Sequence, residues 1–451
     1  MKLTRRDLLA TSVALGVCPG MHAQVRRGVP AEPFVPSDGA NNPMGEGKGI
    51  FPGRVVWVHN PEVAKWDGIT EPNSVKSATG EWWDDANCDP KIADAMVSRS
   101  LQGLTGHKSD KDAWKQLFHH FNKTRNFGDN GYKPGEKISI KINMNNDRSN
   151  TAPWQSGRGM PSPQVAHALL RQLVQQAGVP GEDITLYDAT GDRYIGDPIY
   201  NRIMADKDTR LHKIVFQVNP NRAANGRVMV IPDTTDPIKF SDKGVGTAFV
   251  PRCVVEAKYR INLALLRAHG ICGVTLCTKN NNGSIYWPSQ DYWGPRVYHS
   301  FISRSRPLGS YNAFVDIMGH RQIGGKALLY MLDGLYSAEE SETNVVRFQS
   351  FNDHWTSSIF MSQDPVAIDS VGLDFLRNEP RAKQVHGGSP DNFLHEAAQV
   401  GNPPSGTKYD PEQDGTVLTT SLGVHEHWNN AKDKQYSRNL GKKEGIELVS
   451  L

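Results

Sequence analysis

The stretch 137–188 constrains the fold of this chain more than any other. Lys137-Ile138-Ser139-Ile140-Lys141-Ile142-Asn143-Met144-Asn145 alternates in polarity. As a strand it puts Ile138, Ile140, Ile142 and Met144 on one face and Lys141, Asn143 and Asn145 on the other. Ser162-Pro163 then supplies an N-cap and a proline at the first helical position, and Val165, Leu169, Leu173 and Val174 follow at helical spacing until Gly178. Ile184-Thr185-Leu186-Tyr187-Asp188 reads as a second strand. Strand, crossover helix and strand in this order imply a right-handed parallel unit. In open parallel sheets ligands sit beyond the carboxyl ends of the strands. Here those ends carry Lys141, Asn143, Asn145, Asp188 and the loop Thr190-Gly191-Asp192-Arg193.

The remaining elements extend this unit. Arg54-Val55-Val56-Trp57-Val58-His59 is an early strand, and apolar spacing from Lys91 to Asn122 predicts two helices broken at Gly103-Leu104-Thr105-Gly106. Further on, Ala257 to Leu263 leads to Ala268-His269-Gly270, and Leu328 to Gly334 reads as a strand ending in Asp333. Ser358 to Asp369 reads as a strand entering a helix capped by Asp364, with Asp369 exposed on that helix. The expected fold is α/β, a mostly parallel Rossmann-like sheet flanked by helices, with long loop insertions and a C-terminal wrap. Residues 24–50, rich in Pro, Gly and Asn, read as an extended leader, 51–451 as one large domain, and 381–451 as the wrap.

At the N-terminus, Arg5-Arg6 precedes a short apolar run from Leu8 to Val17 and a small-residue exit at Ala23. This pattern predicts a twin-arginine signal peptide over 1–23, export by the twin-arginine machinery, and a periplasmic or secreted product. Val17 before Cys18 is too bulky for a lipoprotein signal, and no later run is long and apolar enough to span a membrane. With 51 basic against 48 acidic residues the chain has no global field for nucleic acid or anionic lipid. Cys88, Cys253, Cys272 and Cys277 lack clustered ligand spacing, so no iron–sulfur cluster is expected. A Cys272–Cys277 bridge and two buried thiols both remain open.

Lys141-Ile142-Asn143, His269-Gly270, the run from Thr275 to Lys279-Asn280, Asp333-Gly334 and Asp364-Pro365-Val366-Ala367-Ile368-Asp369 together resemble the domain-of-unknown-function 362 family over roughly residues 130–380. Some members of that family carry ferredoxin-type cysteine clusters, which this chain lacks. A fainter resemblance is to the nickel-pincer lactate racemases, in which an imidazole precedes a cofactor-holding lysine by about ten positions, as His269 precedes Lys279. Ala189-Thr190-Gly191 is similar to that family's Ala-Thr-Gly, but Asp192-Arg193 follows where the family has a catalytic histidine.

The expected site is a crevice lined by Lys141, Asn143, Asp188, Arg193, His269, Lys279 and Asp333, with Asn145, Asp192, Thr275 and Asn280 as further binding groups. Lys141, Arg193 and Lys279 would hold an anionic or polyhydroxylated small molecule, and His269 would be the general acid/base. Asp188 and Asp333 could share a divalent cation. Each group has a plainer reading: His269 as a loop histidine, Asn280 to Asn282 as a solvated turn, Asp192-Arg193 as a surface pair. His425 and His427, two apart, share one face of a strand and could both reach a metal; the plainer reading is a hydrogen-bonded polar segment. An exported enzyme and a periplasmic binding or accessory protein without turnover are the two function classes.

Overall fold

The computed structural model describes residues 36–189, 191–287 and 296–451. The signal segment, its cleavage point, the first part of the leader and Thr190 lie outside the described residues.

Alternating side chains build a ten-stranded central sheet. Its strands are β1 Arg54–His59, β2 Ile138–Ile142, β3 Ile184–Tyr187, β4 Val215–Val218, β5 Val228–Met229, β6 Tyr259–His269, β7 Gly273–Thr275, β8 Ala327–Ala338, β9 Ser358–Ser362 and β10 Glu447–Ser450. They lie in the order β10-β1-β9-β8-β6-β2-β3-β4-β5, and β7 folds back antiparallel on the end of β6. From β8 through β6, β2, β3 and β4 to β5 every pairing is parallel, whereas β9 runs antiparallel to both β8 and β1. The flanking helices include α1 Pro90–Thr105, α2 Asp110–Thr124, α3 Pro163–Arg171, α4 Cys277–Asn280, α5 Ala313–Gly319, α6 Pro365–Arg377 and α7 Asn392–Ala398. The fold is α/β, with a mostly parallel sheet between helices.

Local chemistry accounts for the helix ends. Asp89 caps α1 by accepting from the N–H groups of Lys91 and Ile92, and Pro90 opens the first turn. Gly106 ends α1 in the left-handed region at φ 74°, where a side chain would be strained. Asp364 caps α6 as expected, and its other oxygen accepts from Lys48 and Val424, joining the leader and the C-terminal segment to this helix.

The two faces of the sheet bury separate cores. Ile138, Ile140, Ile142, Leu186 and Ile261 pack against α1, α2 and α3, while Tyr187, Ala264, Leu266, Leu332 and Phe360 pack against α5, α6 and α7. Each fully buried aliphatic or aromatic side chain contributes about 1.5–3 kcal/mol. The C-terminal segment closes the sheet edge, with β10 parallel to β1.

Two expectations need correction, and the open cysteine alternative resolves. Asp333 does not end its strand, because β8 continues to Ala338. Asp369 is buried, since its carboxylate accepts from the N–H groups of Cys277 and Thr278 at 2.8 Å each and so caps α4. Cys272 and Cys277 are buried free thiols, not a bridge. Among the described residues no helix is long and apolar enough to cross a membrane.

Candidate functional site

The crevice forms where β2 and β3 end, roofed by the segment that follows β7. Beneath it, one face of β2 and β6 is polar: Lys141, Arg260 and Asn262 stand where a hydrophobic core would otherwise continue. The asparagine run of α4 and the turn after it satisfy that face. Asn280 donates to Asn262 Oδ1 at 2.7 Å and accepts from Lys141 Nζ at 3.0 Å. Asn281 Oδ1 accepts from Arg260 and Asn262, both at 2.8 Å. Asn280 and Asn281 are therefore buried structural partners of the sheet instead of a solvated turn.

Lys141 and Asp188 make a buried ion pair, Nζ to Oδ2 at 3.0 Å. The same oxygen accepts from the Met144 N–H at 2.9 Å, which fixes the carboxylate across the ends of β2 and β3. Burial pulls the Lys141 ammonium down to about 8, against the attraction of Asp188. Gly283 covers this pair so closely that a Cβ would lie 2.0 Å from Lys141 Cε. Asp188 Oδ1 is buried without a hydrogen-bond partner among the described residues.

A cavity of about 550 Å³ opens above this pair, lined by Asn143, Asn145, Arg193, His269, Thr275 and Lys279 among others. Arg193 donates to Asn145 Oδ1 at 2.7 Å and Asp192 Oδ1 at 3.2 Å; burial lowers it only to about 10, so it stays charged. Lys279 lines the same cavity, and its ammonium has no hydrogen-bond or ion-pair partner among the described residues. Burial lowers its pKa, and nearby Arg193 and Arg267 reinforce the shift.

His269 Nδ1 accepts from the N–H groups of Ile271 at 3.1 Å and Cys272 at 3.4 Å. That nitrogen therefore carries no proton, and the ring is the Nε2–H tautomer. Burial, with Lys279 and Arg267, pushes its pKa well below the usual histidine range, so the ring is neutral at pH 7.

Lys141, Asn143, Asn145, Asp188, Arg193, His269, Thr275, Lys279 and Asn280 thus converge on one cavity. Asp333 and Asp192 do not line it. Asp333 accepts from Ser162 N at 2.7 Å and Ser162 Oγ at 3.1 Å, holding the start of α3, so the pairing with Asp188 around a cation is not formed. Asp192 lies among Arg148, Arg193 and Arg222. His425 lies in a separate cluster with Asp38 and His395, a candidate metal centre, and His427 stands beside it, 3.5 Å from Asp38. A larger open groove of about 1450 Å³ is lined by Asp85, Trp154, His167, Arg202 and Asp206. It holds two ion pairs, Arg202 with Asp85 and His167 with Asp206.

Residues 138–374 match the family model described as a domain of unknown function, DUF362. The chain belongs to the DUF362 family. The matched segment spans every cavity residue named above, from Lys141 to Asn280. Among solved structures, the lactate racemase apoprotein from Thermoanaerobacterium thermosaccharolyticum is similar at 12% identity, over 69% of this chain, with a TM-score of 0.31. The alignment spans 62% of that protein's length. No curated protein matches the sequence.

Sequence reasoning missed Arg260, Asn262 and Arg267, all buried beside the DUF362 cavity. Arg267 donates to Gly159 O and Asn143 Oδ1, both at 3.1 Å, orienting a cavity side chain. Period-two polarity was there to be read in Tyr259-Arg260-Ile261-Asn262-Leu263, where Arg260 and Asn262 share a face.

Proposed function

We propose that the crevice binds and acts on a small anionic or polyhydroxylated compound, in a protein exported as a folded domain by the twin-arginine route. The observation that carries this is the Lys279 ammonium. It opens on a cavity shared with Arg193 and has no partner among the described residues, so an anionic group supplies the missing charge. The glutamates of the rim do not fill that role: Glu342 pairs with Arg148 at 2.7 Å, and Glu340 accepts from Gln384 at 3.2 Å.

In this reading Arg193 and Lys279 hold the anion. Lys279, whose lowered pKa raises its share of neutral amine, takes and returns a proton. His269 loses the acid/base role expected of it, since its neutral ring donates from Nε2 to a substrate oxygen. The Lys141–Asp188 pair is a positioning element. The position at which racemase-like motifs carry a catalytic histidine is Asp192 here, tied up with arginines, so no step runs through a nickel-pincer group. The fixed tautomer of His269 favours a second reading, a binding protein without turnover, because it removes one proton acceptor from the crevice.

Calorimetric titration with phosphate, citrate and gluconate tests the proposal. At least one should bind, and Lys279→Met should weaken it by about tenfold or more, since a hydrogen bond to a charged group contributes about 1.5–3 kcal/mol. Equal affinities for wild type and Lys279→Met would overturn it. Turnover of a bound hydroxylated acid, lost in Lys279→Met, separates enzyme from binding protein.

A further inference from the structure

The cluster that holds His425 and His427 lies outside the matched family segment and apart from the crevice. Its geometry leaves a polar problem that protein atoms do not solve. His395 Nε2 and His425 Nε2 each stand 3.6 Å from Asp38 Oδ2, and His427 Nε2 stands 3.5 Å from Asp38 Oδ1. The three imidazoles are buried and the Asp38 side chain is only 12% exposed. Among the described residues, both Asp38 oxygens and the Nε2 atoms of His395 and His425 have no hydrogen-bond partner, although all are shielded from solvent. Leaving such groups unsatisfied is costly.

Hydrogen bonding fixes which of these atoms carry protons. Ser370 Oγ donates to Val366 O at 2.7 Å, so toward His425 Nδ1, 2.8 Å away, it accepts. His425 is therefore protonated on Nδ1 and presents the Nε2 lone pair to the Asp38 carboxylate. Two acceptors face each other across 3.6 Å, beyond hydrogen-bond distance and with no proton between them. His427 stands beside the group, its Nδ1 on the Asp374 carboxylate and its Nε2 accepting from Arg377 Nη1 at 3.4 Å, 3.5 Å from Asp38 Oδ1. The Ser370 hydroxyl behind His425 is an outer-shell partner of the kind that metal-ligating histidines use.

We propose that Asp38, His395 and His425 hold one divalent ion of the zinc class in a four-coordinate site completed by a water molecule. Bonds of about 2.0–2.1 Å to a tetrahedral ion set neighbouring ligand atoms about 3.3–3.4 Å apart. His395 Nε2 and His425 Nε2 each stand 3.6 Å from the same Asp38 oxygen, and the three ligand atoms lie within 4.8 Å of one another, so a modest contraction meets this. The ligands come from segments far apart in sequence and none lines the crevice, so the ion is structural. It fastens the leader, through Asp38, to α7 and to the strand pair of Met44–Gly45 with Val424–His425.

Elemental analysis of the full chain tests the site directly. About one zinc per chain is expected. His425→Ala and Asp38→Asn should each reduce it to about a tenth or less, because the ligand set is incomplete. Lys279→Met, which alters only the crevice, should keep the metal. Cobalt(II) added to chelator-treated full chain should give the intense visible absorption of a four-coordinate ion. Should His425→Ala fail to fold, Asp38→Asn, on an irregular segment near the surface, serves alone. No bound metal together with no visible cobalt band overturns the proposal, as does full metal retention in Asp38→Asn. A weak six-coordinate cobalt spectrum overturns the four-coordinate geometry.

Discussion

Replacing Gly283 by alanine tests whether close packing holds the Lys141–Asp188 pair in place. The added Cβ would lie 2.0 Å from Lys141 Cε, 2.3 Å from Asp188 Oδ1 and 2.4 Å from Lys141 Nζ. Each contact is far inside van der Waals distance, and both side chains are buried with little room to retreat. The backbone of Gly283 is not left-handed, so the substitution acts through contact alone. Overpacking of this kind costs about 1–3 kcal/mol. If the pair is forced apart, the uncompensated buried charge raises the cost toward about 3–5 kcal/mol. A loss near 3 kcal/mol is therefore expected in urea unfolding at unchanged m, together with weaker anion binding in the crevice. Gly131→Ala is the control: nothing stands within 4 Å of its Cβ, so it should stay within about 0.5 kcal/mol of wild type. Wild-type stability and affinity in Gly283→Ala would refute the packing argument.

Asp369→Ala removes the acceptor of two buried N–H groups at the start of α4. It should cost about 1–3 kcal/mol by chemical denaturation and also weaken crevice binding through displaced Lys279. Burial pushes the carboxyls of Asp364 and Asp369 up to about 6 each, so the folded chain binds protons the unfolded chain has released. Stability from each is full below about pH 4 and lost as pH rises through about 6, by about 3 kcal/mol per group; Asp369→Asn should flatten that slope. Asp333→Ala should destabilise by a similar 1–3 kcal/mol or so, through the lost Ser162 contacts. Its crevice affinity should stay within about twofold of wild type by calorimetry, because Asp333 does not line the cavity.

Much of the scaffold was legible because its causes are local. Alternation in Ile138 to Met144, the Ser162-Pro163 start and the Gly106 stop depend on neighbours in sequence, and the carboxyl-end rule then located Lys141, Asp188 and Arg193. Asp333 misled because strand length depends on pairing partners: β8 runs on beside β6, leaving the carboxylate in mid-strand to hold α3. The asparagine run read equally well as a turn until the polar face of β2 and β6 was seen beneath it. Asp369 changed from exposed to buried for the same reason, since only the packing of α6 against α4 gives it two N–H groups to accept from. Asp38 and His395 carried no local signal at all. They meet His425 only because the leader pairs with the C-terminal segment.

The most direct test of the central claim is chemical labelling of the lysines with pyridoxal 5′-phosphate, trapped by borohydride at mildly alkaline pH and mapped by peptide mass spectrometry. The probe couples an aldehyde that captures neutral amines to a phosphate that seeks cationic pockets. Lys279 should label ahead of the surface lysines, citrate or phosphate should protect it, and the buried, paired Lys141 should stay unmodified. Labelling of surface lysines with Lys279 untouched, or labelling of Lys279 that no anion suppresses, would contradict the claim that this amine is the anion-binding group of the crevice.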